Sequence, residues 1–581
     1  MQNLKKIISS IIILTLIATF GLVFADYDEN LRFTDIPKGH WAEKSIYELR
    51  SLKITDGIGE NKFGLGITIK RSEFVAFLVK LMKWELVCPE EGNFADNMDK
   101  NKWYYSYIET AMEHGVILKD TENFRGEEPI TREEMAMMIV RALGYDSLSQ
   151  QLTYLPKPFE DIEQYTGYIT IAKDFGIING VGNNQFKPYD KATREEAAAM
   201  MMRMYQKLNM PMNRLHGFYA IRSAHQADMI KSLNSVGFGW SRLEYDAESK
   251  KVFLNITRKN NNEFAIPAGF SQPLKMAEEN KVGAMLMVYA NNYMVSFDEK
   301  KPSMPLIEYL ITDPEAGKEV IKSIVDQVNS TVSEGITAAF DGVVIDFENL
   351  RGENSKEAFN SFLEELRLEF DKNDKELYVA VHPARRPGLA YYDGYDYKTI
   401  GNIADKVILM AHDYNAKQLT DIEIENGYTI TPLTPINEIY YALKSITNKD
   451  TGVQDLDKIM VQISFDSAQW KLKDGKVLNK YPYNPDYESI RQRLIMDDVA
   501  INYSHIFENP YATFYEIKDD TQNIIWYEDS RSIKAKMKLM KMFGIKEVSL
   551  WRLGNIPNYE NIGSKKIYLD IWQQIIDMNE K

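Results

Sequence analysis

The apolar positions along the chain follow two different rhythms. Up to about residue 210 they recur at three- and four-residue intervals in short paired segments, the period of amphipathic helices. The pairs repeat three times. "FTDIPKGHWAEKSIYELRSLKITDG", "FADNMDKNKWYYSYIETAMEHGVILKD" and "FEDIEQYTGYITIAKDFGIINGVG" start at Phe33, Phe94 and Phe159. Each leads through a loop ending in an aromatic (Phe63, Phe124, Phe186) to a second helical stretch, "IKRSEFVAFLVKLM", "ITREEMAMMIVRAL" or "ATREEAAAMMMRMY". A unit this small buries little surface alone, so the three repeats are expected to pack together.

After "KLNMPMNRL" the rhythm changes. Eight short apolar runs, at Leu215, Val236, Gly283, Gly342, Leu377, Lys406, Lys458 and Glu547, alternate with helical stretches such as "SKEAFNSFLEELRLEF". Eight alternations of strand and helix predict a closed (β/α)8 TIM barrel, with an insertion at about 470–526 between the seventh and eighth strands. The fourth run, "FDGVVIDFENL", ends in two carboxylates. Side chains alternate along a strand, so Val344, Asp346 and Glu348 share one face and Val343, Ile345 and Phe347 the other. With the second face turned to the helices, Asp346 and Glu348 point inward at the carboxyl end of the strand, their Cα atoms ~6.6 Å apart. Barrel active sites lie at that end. Two acids in an apolar mouth raise each other's proton affinity, and a neutral acid beside an ionised partner suits cleavage of a glycosidic bond. The plain alternative is a solvated strand end.

Composition narrows the field. A chain of 581 residues with 44% hydrophobic content supports two or more folded domains. Its net charge of −15 and lack of a long basic run disfavour nucleic acid as a partner. Cys88 is the single cysteine, which excludes an internal disulfide, and no Cys/His cluster has metal-ligand spacing, so neither metal nor cofactor is expected. At the start, Lys5 and Lys6 precede an apolar run from Ile11 to Phe24, followed by Val23-Phe24-Ala25 and acidic residues. This pattern predicts an export signal over residues 1–25, cleaved after Ala25, and hence an extracellular mature protein without a stable membrane span. An uncleaved anchor is the alternative.

The first third resembles S-layer homology (SLH) repeats, expected over 26–83, 84–146 and 147–210. The family's Thr-Arg-Ala-Glu motif reads Thr131-Arg132-Glu133-Glu134 and Thr193-Arg194-Glu195-Glu196 here, while the first copy, Lys70-Arg71-Ser72-Glu73, lacks the threonine. The resemblance implies an all-α three-lobed module that grips secondary cell-wall polysaccharide, with cell-wall or S-layer association. Arg71, Arg132 and Arg194, each at a helix start, would offer donor forks to an anionic sugar. The other reading pairs each arginine with a neighbouring glutamate to tie the lobes together. Trp41 and Trp103 are candidates to stack on sugar or, equally, to fill the core.

The barrel, expected over 211–581, resembles glycoside hydrolase family 18. That family's fourth strand carries Asp-Gly-x-Asp-x-Asp-x-Glu, and this chain has Asp341-Gly342-Val343-Val344-Ile345-Asp346-Phe347-Glu348. The resemblance implies that Glu348 protonates the leaving oxygen while Asp346 orients the substrate's own N-acetyl group, which attacks the anomeric carbon. Val344 departs from the family's middle aspartate. On the sixth strand the family's Met-x-Tyr-Asp is matched by Met410-Ala411-His412-Asp413-Tyr414, so His412 stands where a tyrosine supports the intermediate and would donate a similar hydrogen bond. Trp551 is expected to floor the sugar pocket, with Asp341, Asn291, Asp413 and Tyr414 as further substrate contacts. "YANN", "DFEN" and "WRLG" look most like the spore-germination, cortex-lytic branch. Together these features imply a wall-anchored glycosidase acting on N-acetylglucosamine-containing glycan, with peptidoglycan favoured. A non-hydrolytic, lectin-like barrel or a structural S-layer protein stays as the alternative, because Val344 and His412 both depart from the family's pattern.

Overall fold

The computed structural model describes residues 32–297, 302–386, 389 and 391–579. The expected signal segment lies outside them. Two units are distinguished: residues up to Tyr145 with Lys157–Tyr205, and Asp146–Pro156 with Gln206 onward. Among the described residues no helix is long and apolar enough to cross a membrane.

The first unit is helical. Each repeat supplies a short helix and a longer one: α1 (Glu43–Ser51) and α2 (Arg71–Met82), α3 (Tyr105–Glu113) and α4 (Arg132–Ala142), α5 (Thr166–Asp174) and α6 (Arg194–Leu208). The second helix of one repeat packs on the first helix of the next, α2 on α3 and α4 on α5. Each repeat also encloses an aromatic pair, Phe33–Phe63, Phe94–Phe124 and Phe159–Phe186, with centroids 5.8, 5.6 and 5.5 Å apart. The aspartate two residues after the first phenylalanine fixes the following loop. Asp35, Asp96 and Asp161 accept backbone N–H bonds from Phe63, Phe124 and Phe186 at 2.8–2.9 Å.

At the centre the three repeats close a ring. Ile69 N–H donates to Ala192 O, Ala192 to Ile130 and Ile130 to Ile69, at 3.0–3.1 Å. The arginines close a second ring around it. Arg71 pairs with Glu134, Arg132 with Glu196 and Arg194 with Glu73, each reaching the next repeat and the last returning to the first. The same glutamates cap their own helices, because Glu73, Glu134 and Glu196 accept from the backbone N–H of Lys70, Thr131 and Thr193 at 2.8–2.9 Å. In the second and third repeats the threonine hydroxyl completes the capping box. Lys70 leaves that half unmade.

The second unit is a closed barrel of eight parallel strands: β1 (Arg214–Tyr219), β2 (Ser235–Asp246), β3 (Gly283–Asn291), β4 (Gly342–Glu348), β5 (Glu376–Val381), β6 (Lys406–Leu409), β7 (Ile459–Ser464) and β8 (Glu547–Trp551). Neighbours pair in order, and β1 pairs with both β8 and β2, which closes the cylinder. Its interior is packed by Phe218, Met285, Met287, Val344, Tyr378, Ile408 and Met460 among others. Phe347 faces outward onto Phe359 and Phe362 of the helix Gly352–Asp371. Close strand packing requires Gly342, since a Cβ there would sit 2.1 Å from Glu376 O and 2.6 Å from Met285 Cε.

Between β7 and β8 stands an antiparallel five-stranded sheet spanning Ala468 to Trp526. Trp470 and Trp526 anchor it through indole N–H bonds to Thr431 Oγ1 and Thr429 O. One segment departs from the expected limits of the third repeat. Residues 146–156 group with the barrel unit, where Leu148 and Leu152 are buried and Gln151 Nε2 donates to Ile506 O at 2.9 Å.

Candidate active site

The site forms at the carboxyl ends of the barrel strands. Asp346 is 6% exposed and its Oδ1 has no hydrogen-bond partner among the described residues. In the strand register Tyr289 lies beside Asp346, and Asn291 beside Glu348. Burial pushes both carboxyls far above the ordinary carboxylate range, and for Glu348 the proximity of Asp346 adds to it while His412 opposes it. The two groups titrate as a pair that keeps a proton near neutrality. From behind, Tyr395 Oη donates to Phe347 O at 2.7 Å and fixes the backbone between the two acids.

His412 follows β6. Its Nδ1 lies 2.9 Å from Asp413 Oδ2 and its Nε2 2.6 Å from Gln462 Oε1. Burial alone would lower its pKa, but Asp413 and the bond to Gln462 outweigh it and raise it. Both ring nitrogens are engaged within the protein, and the raised pKa favours the protonated ring. The expected hydrogen bond from His412 to substrate is therefore corrected, because Asp413 and Gln462 take up both nitrogens, and the ring instead opposes the raised proton affinity of Glu348. Asp413, in the left-handed region at φ 63°, also accepts from Lys417 Nζ at 2.7 Å. Burial opposes the effect, yet His412 and Lys417 hold its carboxyl well below the usual range.

Trp551 packs edge-on against Phe218 at 5.2 Å, at the top of the interior cluster, and its peptide bond to Arg552 is cis. Asn291 Oδ1 accepts from Asn349 Nδ2 at 3.0 Å, at the rim next to Glu348. Tyr414 lies beneath the Arg385 guanidinium, 4.8 Å from its ring centroid, and its hydroxyl is buried without a partner among the described residues.

Asp341 is a second correction. It precedes β4, at the amino end of the barrel, and its Oδ2 accepts the Ala284 N–H at 2.8 Å. Five residues of strand, ~16 Å, separate it from Asp346, so it ties β3 to β4 and contacts no substrate at the mouth. Val344, in place of the family's middle aspartate, packs in the apolar interior.

His382 is a site residue absent from the expectations. It follows β5 on the inward face shared by Tyr378 and Ala380, and its Nε2 is buried without a partner among the described residues. Burial, with the charge on His412, brings its pKa down to about 3, so it is neutral. The signal was present in "YVAVHP", by the alternation that singles out Asp346. Among the described residues no cluster of three or more His, Cys, Asp or Glu side chains has the geometry to hold a metal ion.

The arginines of the helical unit are a third correction. Arg71, Arg132 and Arg194 are 4, 6 and 2% exposed. Arg132 Nε donates to Phe186 O and its terminal nitrogens to Glu196 and Asn179 O. Arg194 likewise donates to Phe63 O and Glu73. These forks are spent largely on the ring, on glutamates and backbone carbonyls of the neighbouring repeat. Trp41 and Trp103, by contrast, are 61 and 57% exposed.

Comparison with known proteins agrees with this division. Residues 293–555 match the family "Glycosyl hydrolases family 18", and residues 32–74, 98–136 and 158–198 match the "S-layer homology domain". The chain carries three SLH repeats and a family 18 glycosyl hydrolase domain. An amylopullulanase of Thermoanaerobacterium thermosulfurigenes is 33% identical over 202 residues, 33% of this chain and 10% of that protein. The cortical fragment-lytic enzyme of Bacillus subtilis (strain 168) is 24% identical over 299 residues, 48% of this chain and 59% of that one. This chain thus spans less than two thirds of the length of these relatives. The crystal structure of the Bacillus cereus spore cortex-lytic enzyme SleL aligns with a TM-score of 0.46 and 18% identity, over 63% of this chain and 74% of that one. Residues 293–555 thus form a domain of the glycosyl hydrolase family, and the SLH repeats indicate association with the cell surface.

Proposed function

We propose that the barrel hydrolyses N-acetylglucosamine-containing wall glycan, peptidoglycan in the first instance, by substrate-assisted retaining catalysis. The observation that carries this reading is the placement of Asp346 and Glu348, a buried and a partly buried carboxyl on one face of one strand, both with raised proton affinity. Glu348 is the proton donor. A retaining enzyme with a carboxylate nucleophile sets its two carboxyls about 5 to 5.5 Å apart across the sugar. Asp346 sits on the same strand face as the donor, so it is poorly placed to attack from the opposite side of the ring. The acetamido oxygen of the substrate takes that role, Asp346 holds the amide, and Trp551 floors the pocket. His412 tunes Glu348 through its charge. The helical unit anchors the protein to secondary cell-wall polysaccharide through exposed aromatics including Trp41 and Trp103, with the arginine ring as scaffold.

The test is substrate-side. Native glycan strands are cleaved and de-N-acetylated strands are not, and a thiazoline mimic of the oxazolinium ion inhibits wild type but binds Asp346→Ala far less well. Efficient cleavage of the de-N-acetylated glycan, or a covalent sugar on any side chain, contradicts the assignment. The lectin-like alternative rests on Val344. It holds if no glycan is cleaved while glycan binding persists.

A further inference from the structure

The loop after β5 carries an arginine cluster beside the acid pair. Arg385 lies against two tyrosines, its guanidinium 4.8 Å from the Tyr414 ring centroid and 5.1 Å from that of Tyr391. Its Nε donates to Glu438 Oε2 at 3.1 Å. Arg386 leans on the same carboxylate at 3.5 Å, so two guanidinium groups share one buried anion and a positive charge is left over. Among the described residues no acceptor meets the terminal nitrogens of Arg385. The Tyr414 hydroxyl next to it is buried and equally unpartnered. Tyr391 lies close enough to Glu348 and Asp413 for both to act on its ionisation, which puts the cluster at the mouth of the active site.

A buried polar atom without a protein partner asks for one, an ordered water or a ligand, and at the mouth of an active site a ligand can supply it. An arginine held at Nε and flanked by two aromatic rings has lost much of its rotamer freedom in advance, and its terminal nitrogens form a fork matched to a carboxylate. The acid pair and Asp413 would otherwise repel an anionic substrate from this mouth.

Resting on the glycosidase reading above, we propose that Arg385 and Tyr414 form a carboxylate-binding subsite that selects glycans in which an N-acetylated sugar bears an acidic side arm, such as the free lactyl ether of a peptide-free N-acetylmuramic acid residue, over neutral N-acetylglucosamine polymers. Arg385 binds the carboxylate through its two terminal nitrogens, Tyr414 donates its O–H to the same group, and Glu438 holds the guanidinium in register.

The experiment measures binding by calorimetry to the Glu348→Gln full chain, in which turnover is suppressed. Three tetrasaccharides are compared: alternating N-acetylglucosamine and N-acetylmuramic acid, the same glycan with its lactyl carboxyls reduced to alcohols, and the chitin tetrasaccharide. The acidic glycan is expected to bind about 10- to 100-fold more tightly than its reduced form. Arg385→Gln in the same background lowers the affinity for the acidic glycan to that of the reduced one, and Arg385→Lys restores part of the preference. Equal affinity for the acidic and reduced glycans overturns the proposal without any substitution at Arg385. A preference that survives Arg385→Gln overturns it as well. Turnover of the chitin tetrasaccharide by wild type, read separately, reports on the glycosidase reading alone.

Discussion

Both units bury charge, and they treat it in opposite ways. In the SLH ring every buried guanidinium meets a glutamate from the next repeat and one or two backbone carbonyls, while that glutamate also caps its own helix. At the barrel mouth Asp346 is buried and Glu348 partly buried, no ion pair reaches either carboxylate among the described residues, and Asp346 Oδ1 has no partner there. A buried ion is costly unless paired. Where the pairing is complete, the charges serve the architecture. Where it is missing, the groups respond by holding protons, and that is the state a general acid needs.

The largest expected effect breaks the barrel side of this contrast. Glu348→Gln is expected to keep the fold and glycan binding while lowering turnover by about 10²- to 10⁴-fold. Steady-state hydrolysis of peptidoglycan fragments, with circular dichroism as the folding control, checks it. On the ring side, Arg132→Ala removes a buried cation, strands Glu196 and leaves two carbonyls unpaired. A loss of about 2–4 kcal/mol is expected in denaturant unfolding of the helical unit, below the full buried-pair figure because Glu196 is partly solvated. Trp41→Ala with Trp103→Ala is expected to leave that stability within about 0.5 kcal/mol, since both rings are exposed, and to weaken binding to isolated walls.

A smaller effect depends on pH. The folded-state pKa of Asp346 is raised, so the folded protein holds more protons than the unfolded chain from about pH 4 upward, and stability falls as pH rises towards the raised value. Asp346→Asn removes that slope. Its stability relative to wild type should therefore grow as pH rises from about 4 to about 7 and level off above, by an amount on the order of 1 kcal/mol, in urea titrations at stepped pH. The smallest change repairs the first repeat. Lys70→Thr supplies the missing half of the capping box, and a net gain of about 0.5 kcal/mol is expected after loss of the exposed Lys70–Glu127 pair.

Much of this contrast could be read along the chain, because local periodicity carries it. The eight apolar runs, the alternation within Gly342–Glu348 and the threefold return of an aromatic, a loop and an Arg-x-Glu helix start are short-range signals. What escaped was the identity of partners far apart in sequence. The spacing in Thr-Arg-x-Glu shows a helix start, but only closure of the three repeats brings Arg194 to Glu73, so the arginines looked available to a ligand. His412 looked like a free donor because Gln462 reaches it from the next strand. Asp341 was grouped with Asp346 by motif, although a strand places the two at opposite ends of the barrel. His382 needed no long-range knowledge at all, since the rule that turned Asp346 inward applied to it unchanged.

The most direct test of the contrast between paired and unpaired charge is a ¹³C-carboxyl NMR titration of the whole protein, with Asp346→Asn, Glu348→Gln and Glu134→Gln assigning the resonances. The account predicts that the Asp346–Glu348 pair still holds a proton at neutral pH, whereas Glu134, where burial is outweighed by the Thr131 N–H and by Arg71, loses its proton below the usual carboxylate range near pH ~4. Titration of Asp346 and Glu348 together with exposed carboxylates near pH ~4 would contradict it.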